Sequence, residues 1–372
     1  MSGQKWVLQF CHGYDGPFLD CARQYAVLFK DTEYKVCTVY LTGEPSDEVV
    51  QGSASDEVLF FNYSSKQIRG LKLAAIKDFK KLAASRNFEF CIAHRFKPIY
   101  IALLGSKLPV IGVHHAFGDY KRKSRQLLAN FFKKRLRLLG VSNAVRDDMR
   151  ACLPGFKPEN IETLYNRINV EAVQAEQLSR EEARNFLGLP QDVWVVGNVG
   201  RLHPDKDQTT LIKGFALALP ELPKGSLLAI MGSGRLEQQL KDLAVELGVA
   251  DSVKFLGQVP HGRRYFKAFD LFALTSDHEP FGMVLLEAMA AGVPVIATDC
   301  GGAREVVTNE VGSLFPFSNH QQLAHYLALY CQQSRLARPD FTDYLNYKFS
   351  DVVACEKFWE LPCNGVEKIE YK

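Results

Sequence analysis

Short runs rich in β-branched and aromatic residues alternate with helix-spaced stretches along most of this chain, and that alternation limits it to few folds. The strand candidates are 6–10, 35–41, 58–61, 90–94, 110–114, 138–142 and 161–165 in the first half, then 193–199, 227–231, 253–256, 271–274 and 295–298 in the second. Strands that each feed a helix and return in the same direction build parallel, doubly wound sheets, so the expected class is α/β. At 372 residues the chain exceeds one ordinary core and fits two domains of roughly 150 to 190 residues each. Its 47% hydrophobic content can fill both. Residues 169–191 are polar and helix-friendly, which sets the expected division at 1–168 and 169–345, with a last amphipathic helix within 346–361 and a polar tail over 362–372.

The nine cysteines are scattered, odd in number and without a C-x-x-C, which suits a reducing, cytoplasmic compartment better than a disulfide framework. No signal peptide and no apolar run near eighteen residues is apparent, so no membrane span is expected. A net charge of +3 is mild, but the cations are concentrated. Lys66, Arg69, Lys72, Lys77, Lys80, Lys81 and Arg86 form one basic stretch, and Lys121, Arg122, Lys123, Arg125, Lys133, Lys134, Arg135 and Arg137 another. A helix over 120–139 would set Leu127, Leu128, Phe131, Phe132, Leu136 and Leu138 against a cationic face, a pattern suited to an anionic inner-membrane surface or to a core-facing helix with a solvated basic side.

Within Glu279-Pro280-Phe281-Gly282-Met283-Val284-Leu285-Leu286-Glu287, two carboxylates stand eight positions apart across a loop that opens into a helix apolar on nearly every face. The helix start at Phe281, Gly282 and Met283 offers free N–H groups and a positive dipole end to an anion. Two acids bracketing such a site suit a ligand with both phosphates and sugar hydroxyls; the alternative is a helix cap and a structural ion pair. In Val199-Gly200-Arg201-Leu202-His203-Pro204-Asp205-Lys206-Asp207, Arg201 and Lys206 fall in a strand-to-helix loop, where open α/β sheets place ligands. An Arg fork and a Lys point charge can hold a diphosphate without a metal.

Together these segments resemble the donor-binding half of retaining glycosyltransferases of family 4, which have the GT-B fold of two Rossmann-like domains facing a central cleft. The resemblance rests on Val199-Gly200-Arg201 with Lys206, Met231-Gly232-Ser233-Gly234, Phe255-Leu256-Gly257, Ser276 with Glu279-Pro280-Phe281-Gly282, Leu285-Leu286-Glu287-Ala288-Met289-Ala290, Gly292-Val293-Pro294-Val295-Ile296-Ala297-Thr298, and Gly301-Gly302 with Glu305-Val306-Val307. In the first half, Leu139-Gly140-Val141-Ser142 and Asn166 match. It implies that the N-terminal domain binds the acceptor and that the last helix crosses back to it. It also implies that a histidine matching His114, or His115 if the register slips by one, contacts the donor sugar. Cys11-His12-Gly13-Tyr14-Asp15-Gly16-Pro17 follows the first strand, and Gly13 and Gly16 would let backbone N–H groups approach the ligand, although Pro17 departs from the paired glycines of relatives.

Competing motifs are weaker. His12, His94, His114 and His115 lack supporting metal-ligand spacing, so no metal site is expected. In Asp205-Lys206-Asp207 the central lysine opposes a divalent cation, and in Gly232-Ser233-Gly234 the third dinucleotide-fingerprint glycine is replaced by Glu237. Gly140-Val141-Ser142-Asn143-Ala144 is a poor nucleophile elbow. The resulting expectation is metal-independent transfer of a hexose from a nucleotide sugar, UDP-linked by default, to a lipopolysaccharide-core or other glycan or lipid-linked acceptor. Arg201 and Lys206 take the diphosphate, Glu287 the ribose and Glu279 the sugar, with no separate cofactor and no nucleic-acid partner. The enzyme would be cytoplasmic or peripheral on the cytoplasmic face of the inner membrane. The alternatives are a nucleotide-sugar hydrolase or epimerase of the same fold, and a non-catalytic subunit of a polysaccharide-assembly complex.

Overall fold

The structure, a computed structural model, describes residues 4–333 and 338–361; the tail expected over 362–372 lies outside the described residues. The chain divides into two compact units. One holds the described residues up to Arg167 and from Asp351 onward; the other is Ile168–Ser350.

The first unit is a seven-stranded parallel sheet: β1 (Lys5–Cys11), β2 (Tyr34–Tyr40), β3 (Glu57–Phe60), β4 (Phe88–His94), β5 (Val110–His114), β6 (Leu136–Gly140) and β7 (Ile161–Thr163), in the order β3-β2-β1-β4-β5-β6-β7. The second unit has six parallel strands: β8 (Val195–Val199), β9 (Leu227–Met231), β10 (Val253–Gly257), β11 (Leu271–Leu274), β12 (Val295–Thr298) and β13 (Gly312–Phe315), in the order β10-β9-β8-β11-β12-β13. These are the two Rossmann-like sheets expected from the alternation. In each, the winding direction reverses between the first strand and the fourth, so the loops after β1 and β4, and after β8 and β11, are the places where this topology opens a ligand crevice. Central strands such as β5 and β9 are buried at every residue, as sheets covered on both faces require.

Three local expectations are corrected. The helix expected over 120–139 stops early: it covers Lys123–Phe131, and Leu136–Gly140 becomes β6, because Leu136 and Leu138 alternate with Arg137 and bury against β5. The last helix is two, Thr342–Phe349 and Asp351–Glu360, broken where Ser350 adopts extended backbone. Strand β13 was not foreseen. The helix Asp351–Glu360 packs within the first unit, where Phe358 and Trp359 meet the Phe29 ring at 5.7 and 5.6 Å and Trp359 Nε1 donates to the Leu28 carbonyl at 3.2 Å. Asp351 binds Arg23 at 3.0 Å and the fully buried Arg167 at 2.9 Å.

In the second unit one buried cation ties the entry segment to the sheet. Arg184 has no exposed side-chain surface, and its guanidinium donates to the carbonyls of Pro190, Gln191, Val193 and Ala268 and to Asp270 Oδ2 at 2.8 Å. The same Asp270 oxygen accepts from the Val195 N–H at 2.8 Å, at the start of β8. Burying a charge is tolerated here because its donors are matched. Asp270→Ala should therefore destabilise this unit by about 3–5 kcal/mol, since it strands a buried guanidinium. Urea unfolding would measure this; a change below about 1 kcal/mol would contradict the role given to the pair.

Candidate functional site

Both strands that flank the reversal in the second sheet run into loops carrying the expected residues. After β8 the chain passes through Gly200 and Arg201 to the helix Gln208–Ala218. Asp207 ends the loop by capping that helix, accepting from the Thr210 N–H at 3.2 Å and the Thr210 hydroxyl at 2.6 Å. The loop after β11 runs alongside. The Thr275 hydroxyl donates to the Lys206 carbonyl at 2.9 Å and the Asp277 N–H to the Asp205 carbonyl at 3.0 Å.

Across these paired loops Lys206 Nζ donates to Glu279 Oε2 at 2.7 Å, and the Ser276 hydroxyl donates to the same oxygen at 3.2 Å. Glu279 is buried and the Lys206 side chain is 19% exposed, so each needs the other. Arg201 differs: its side chain is 71% exposed, with Nη2 at 3.3 Å from Asp205 Oδ2. Burial raises the Asp205 pKa, but the hydrogen bond from His203 and the cations Lys206 and Arg201 outweigh it and hold the carboxyl below its usual value. The two aspartates of Asp205-Lys206-Asp207 are thus spent on an ion-pair cluster and a helix cap.

Gly232, after β9, presses directly on the Arg201 loop. A Cβ there would stand 1.9 Å from the Gly200 carbonyl oxygen, and φ is +143°, so the position takes glycine on both counts. Phe281 buries its ring against Phe349 at 5.7 Å. Gly282, at φ +100°, is the N-cap of the helix Met283–Ala290, and no side chain caps that end. A helix start without a side-chain cap can offer N–H groups such as that of Met283 to an acceptor, while the Leu285 N–H already donates to the Gly282 carbonyl at 2.9 Å. Glu287 lies half-buried one turn further along this helix. The Gly302 N–H donates to the Glu279 carbonyl at 2.7 Å and fixes the loop from below.

In the first unit Gly13 follows β1 packed on Thr42, and Gly16 stands at φ +59° before Pro17, which begins the turn into the helix Phe18–Ala26. His114 ends β5 fully buried. Its Nδ1 donates to Asp119 Oδ2 at 2.7 Å, and its Nε2 accepts from the Tyr120 hydroxyl at 3.2 Å. Burial raises the Asp119 pKa, but His114 and Arg125, whose Nη1 lies 2.7 Å from Asp119 Oδ1, bring it below the usual carboxylate value. His115 is half-buried, with Nε2 at 3.2 Å from Nδ1 of the buried His94 and Nδ1 at 3.9 Å from Cys21 Sγ. Burial, and then the neighbouring His114 and Arg95, hold His115 down to about 3. Ser142 of the elbow-like motif is buried as a helix N-cap, accepting from the Val145 N–H at 3.1 Å.

Sequence reasoning passed over Ser276 and Asp205 as partners of the Lys206 loop, and Asp119, Tyr120 and Arg125 around His114. Only the His114–Asp119 spacing, five residues in one loop, offered a local signal. Arg95, directly after β4, was also missed, although a cation at a strand end beside the reversal is legible.

Residues 30–172 match the model described as Glycosyltransferase Family 4, and residues 179–341 the model described as Glycosyl transferases group 1. The chain belongs to the GT-B, family 4 type of glycosyltransferases. It is 34% identical over 188 residues to an uncharacterised glycosyltransferase of Methanocaldococcus jannaschii, a match covering 48% of this chain and 46% of the relative. It is 35% identical over 133 residues to the lipopolysaccharide core biosynthesis mannosyltransferase LpsB of Rhizobium meliloti, covering 35% and 38%. The chain thus spans less than half the length of these curated relatives. Among solved structures, the Anabaena protein HepE in complex with UDP and glucose has the same fold, with a TM-score of 0.73 at 21% identity over 95% of this chain and 98% of that one. Within the family 4 type, the Lys206–Glu279 pair and the uncapped helix start occupy the half matched by the group 1 model.

Proposed function

We propose that the chain is a retaining glycosyltransferase that moves a hexose from a nucleoside diphosphate sugar to a glycan or lipid-linked acceptor. The observation that carries this reading is the buried Lys206–Glu279 pair beside the uncapped start of the helix Met283–Ala290. One group is suited to a diphosphate, the other to sugar hydroxyls, and they stand in direct contact at a strand-end loop. Arg201, exposed and lightly held by Asp205, turns onto the diphosphate, and the N–H groups at Phe281, Gly282 and Met283 complete the anion site. Glu287 accepts from the ribose hydroxyls. The bond from the anomeric carbon to the phosphate oxygen breaks as the acceptor oxygen bonds that carbon from the same face. The acceptor's proton passes to a diphosphate oxygen, and the nucleoside diphosphate leaves.

Arg201, Lys206 and the helix start neutralise the charge that develops on the leaving group, so a divalent cation is not required. His114, with both ring nitrogens engaged, acts as a positioning residue for Asp119 and Tyr120. UDP-hexose is the donor we favour, in keeping with the HepE complex; a relative in Corynebacterium glutamicum named as a GDP-mannose-dependent mannosyltransferase makes GDP-mannose the competing donor. A lipopolysaccharide-core or related surface glycan is the acceptor we favour, on the name of LpsB.

Arg201→Ala and Lys206→Ala should each lower turnover at saturating donor by about two to four orders of magnitude while the fold persists. Wild-type turnover should survive excess EDTA. Near wild-type rates in either variant, or activity abolished by EDTA and restored by Mg²⁺, would refute the assignment.

The helix Lys123–Phe131 supports attachment to the cytoplasmic membrane face. Leu127 and Phe131 are 72% and 80% exposed, and Lys121, Arg122, Lys123, Lys133 and Lys134 surround them in exposed positions. Among the described residues no helix is long and apolar enough to cross a membrane. Each cation near an anionic surface contributes about 1 kcal/mol. Arg125 is excluded from that face because it is bound to Asp119. Salt-sensitive co-sedimentation with phosphatidylglycerol vesicles is expected, weakened when Lys121, Arg122 and Lys123 become Gln. Equal binding to neutral vesicles at low salt would count against it.

A further inference from the structure

The loop after β4 in the first unit carries cations that the donor site does not use. Arg95 directly follows β4, exposed, with its guanidinium 4.8 Å from the centre of the Phe18 ring and its backbone at φ +73°, a conformation side chains rarely adopt. Lys97, also exposed, lies in the first turn of the helix Phe96–Gly105, which has no side-chain cap. Lys72 Nζ stands 4.8 Å from the Tyr100 ring of that helix, and the Tyr100 hydroxyl donates to the Leu71 carbonyl at 3.4 Å, so the loop bearing Arg69 and Lys72 is fastened to the same helix.

Burial first, then their neighbours, lower both lysines: Arg95 and Arg69 act on Lys97, and Lys97 and Arg125 act on Lys72. His12, after β1, is held down to about 4 by burial and then by Arg95 and Lys97, against the opposing pull of the exposed Asp15, and its Nδ1 is buried without a hydrogen-bond partner. Asp119 is committed to His114 and Arg125, and Asp78 to the Tyr63 hydroxyl, which leaves the exposed Asp15 as the one carboxylate of the β1 loop. Among the described residues Arg69, Lys72, Arg95 and Lys97 make no ion pair. Like charges gathered at the carboxyl edge of a sheet, beside its winding reversal, repel one another until an anion arrives. Strain at Arg95, which aims a planar fork from that edge, fits the same purpose.

The geometry points to a subsite for a phosphate group of the acceptor, formed by Arg95 and Lys97 at the start of the helix Phe96–Gly105 and flanked by Lys72. This rests on the transferase reading, in which the first unit holds the acceptor. The test compares mannose 6-phosphate with mannose on the full chain by ligand-observed NMR, with and without saturating UDP to cover the diphosphate site. Mannose 6-phosphate should bind at least about tenfold tighter, and R95Q/K97Q should lose at least about tenfold of that affinity while binding UDP as the wild type does. Equal affinity for the two sugars, or an unchanged variant, overturns the subsite. If UDP fails to bind the wild type, the transferase reading falls, while the phosphate preference is still decided by the two sugars. Binding to phosphatidylglycerol vesicles should be the same for R95Q/K97Q and wild type. If it falls while mannose 6-phosphate binding does not, the cations serve a lipid headgroup and the acceptor subsite is overturned.

Discussion

The second unit is organised around an ion pair taken largely out of water. Lys206 and Glu279 come from loops 73 residues apart in sequence, and neither charge is tolerable at that depth without the other. The fold makes the meeting possible, because β8 and β11 are neighbours at the point where the winding reverses. Backbone bonds then leave little freedom: the Asp277 N–H reaches the Asp205 carbonyl, the Gly302 N–H reaches the Glu279 carbonyl, and Gly232 lies flat against Gly200. A site built this way is rigid before any ligand arrives. Its exposed member is Arg201, paired with Asp205 at 3.3 Å. A buried lysine and carboxylate with one exposed arginine suit a ligand that carries both a diphosphate and sugar hydroxyls.

The first unit repeats the architecture with different chemistry. Its reversal lies between β1 and β4, and the groups gathered there are cationic and histidine-rich instead of paired. His114 is fully buried and spends both nitrogens on Asp119 and Tyr120, which makes the loop from β5 a fixed wall. The two units thus differ in charge, one holding a balanced ion pair at its reversal and the other an unbalanced positive edge.

Much of this was legible in the chain. Central strands are buried on both faces and read as continuous apolar runs, so their positions along the chain and the α/β class followed from pattern alone. Strand β13 escaped because Gly312 and Ser313 open a four-residue edge strand that buries only Phe315 fully. The stretch 120–139 misled because Leu127, Leu128, Phe131 and Phe132 carry a helical period that runs straight into the period-two alternation of Leu136, Arg137 and Leu138. The candidate residues of the second unit stand out in the sequence because they lie at strand ends and open a helix. Their pairing was not, since no local pattern says which distant loop supplies a lysine's counter-ion. Arg184 and Asp270, 86 residues apart, were invisible for the same reason.

The central claim is that the second unit binds a nucleoside diphosphate through its own side chains, with Glu287 serving the nucleoside and Glu279 the sugar. Thermal unfolding of the wild type, Glu279→Gln and Glu287→Gln against UDP, GDP, ADP and CMP tests it most directly. A nucleotide at about 100 times its dissociation constant adds about 2.7 kcal/mol. The account predicts that one nucleoside diphosphate raises the melting temperature of the wild type and of Glu279→Gln alike, with a clearly smaller rise for Glu287→Gln. No stabilisation by any of the four nucleotides would contradict it.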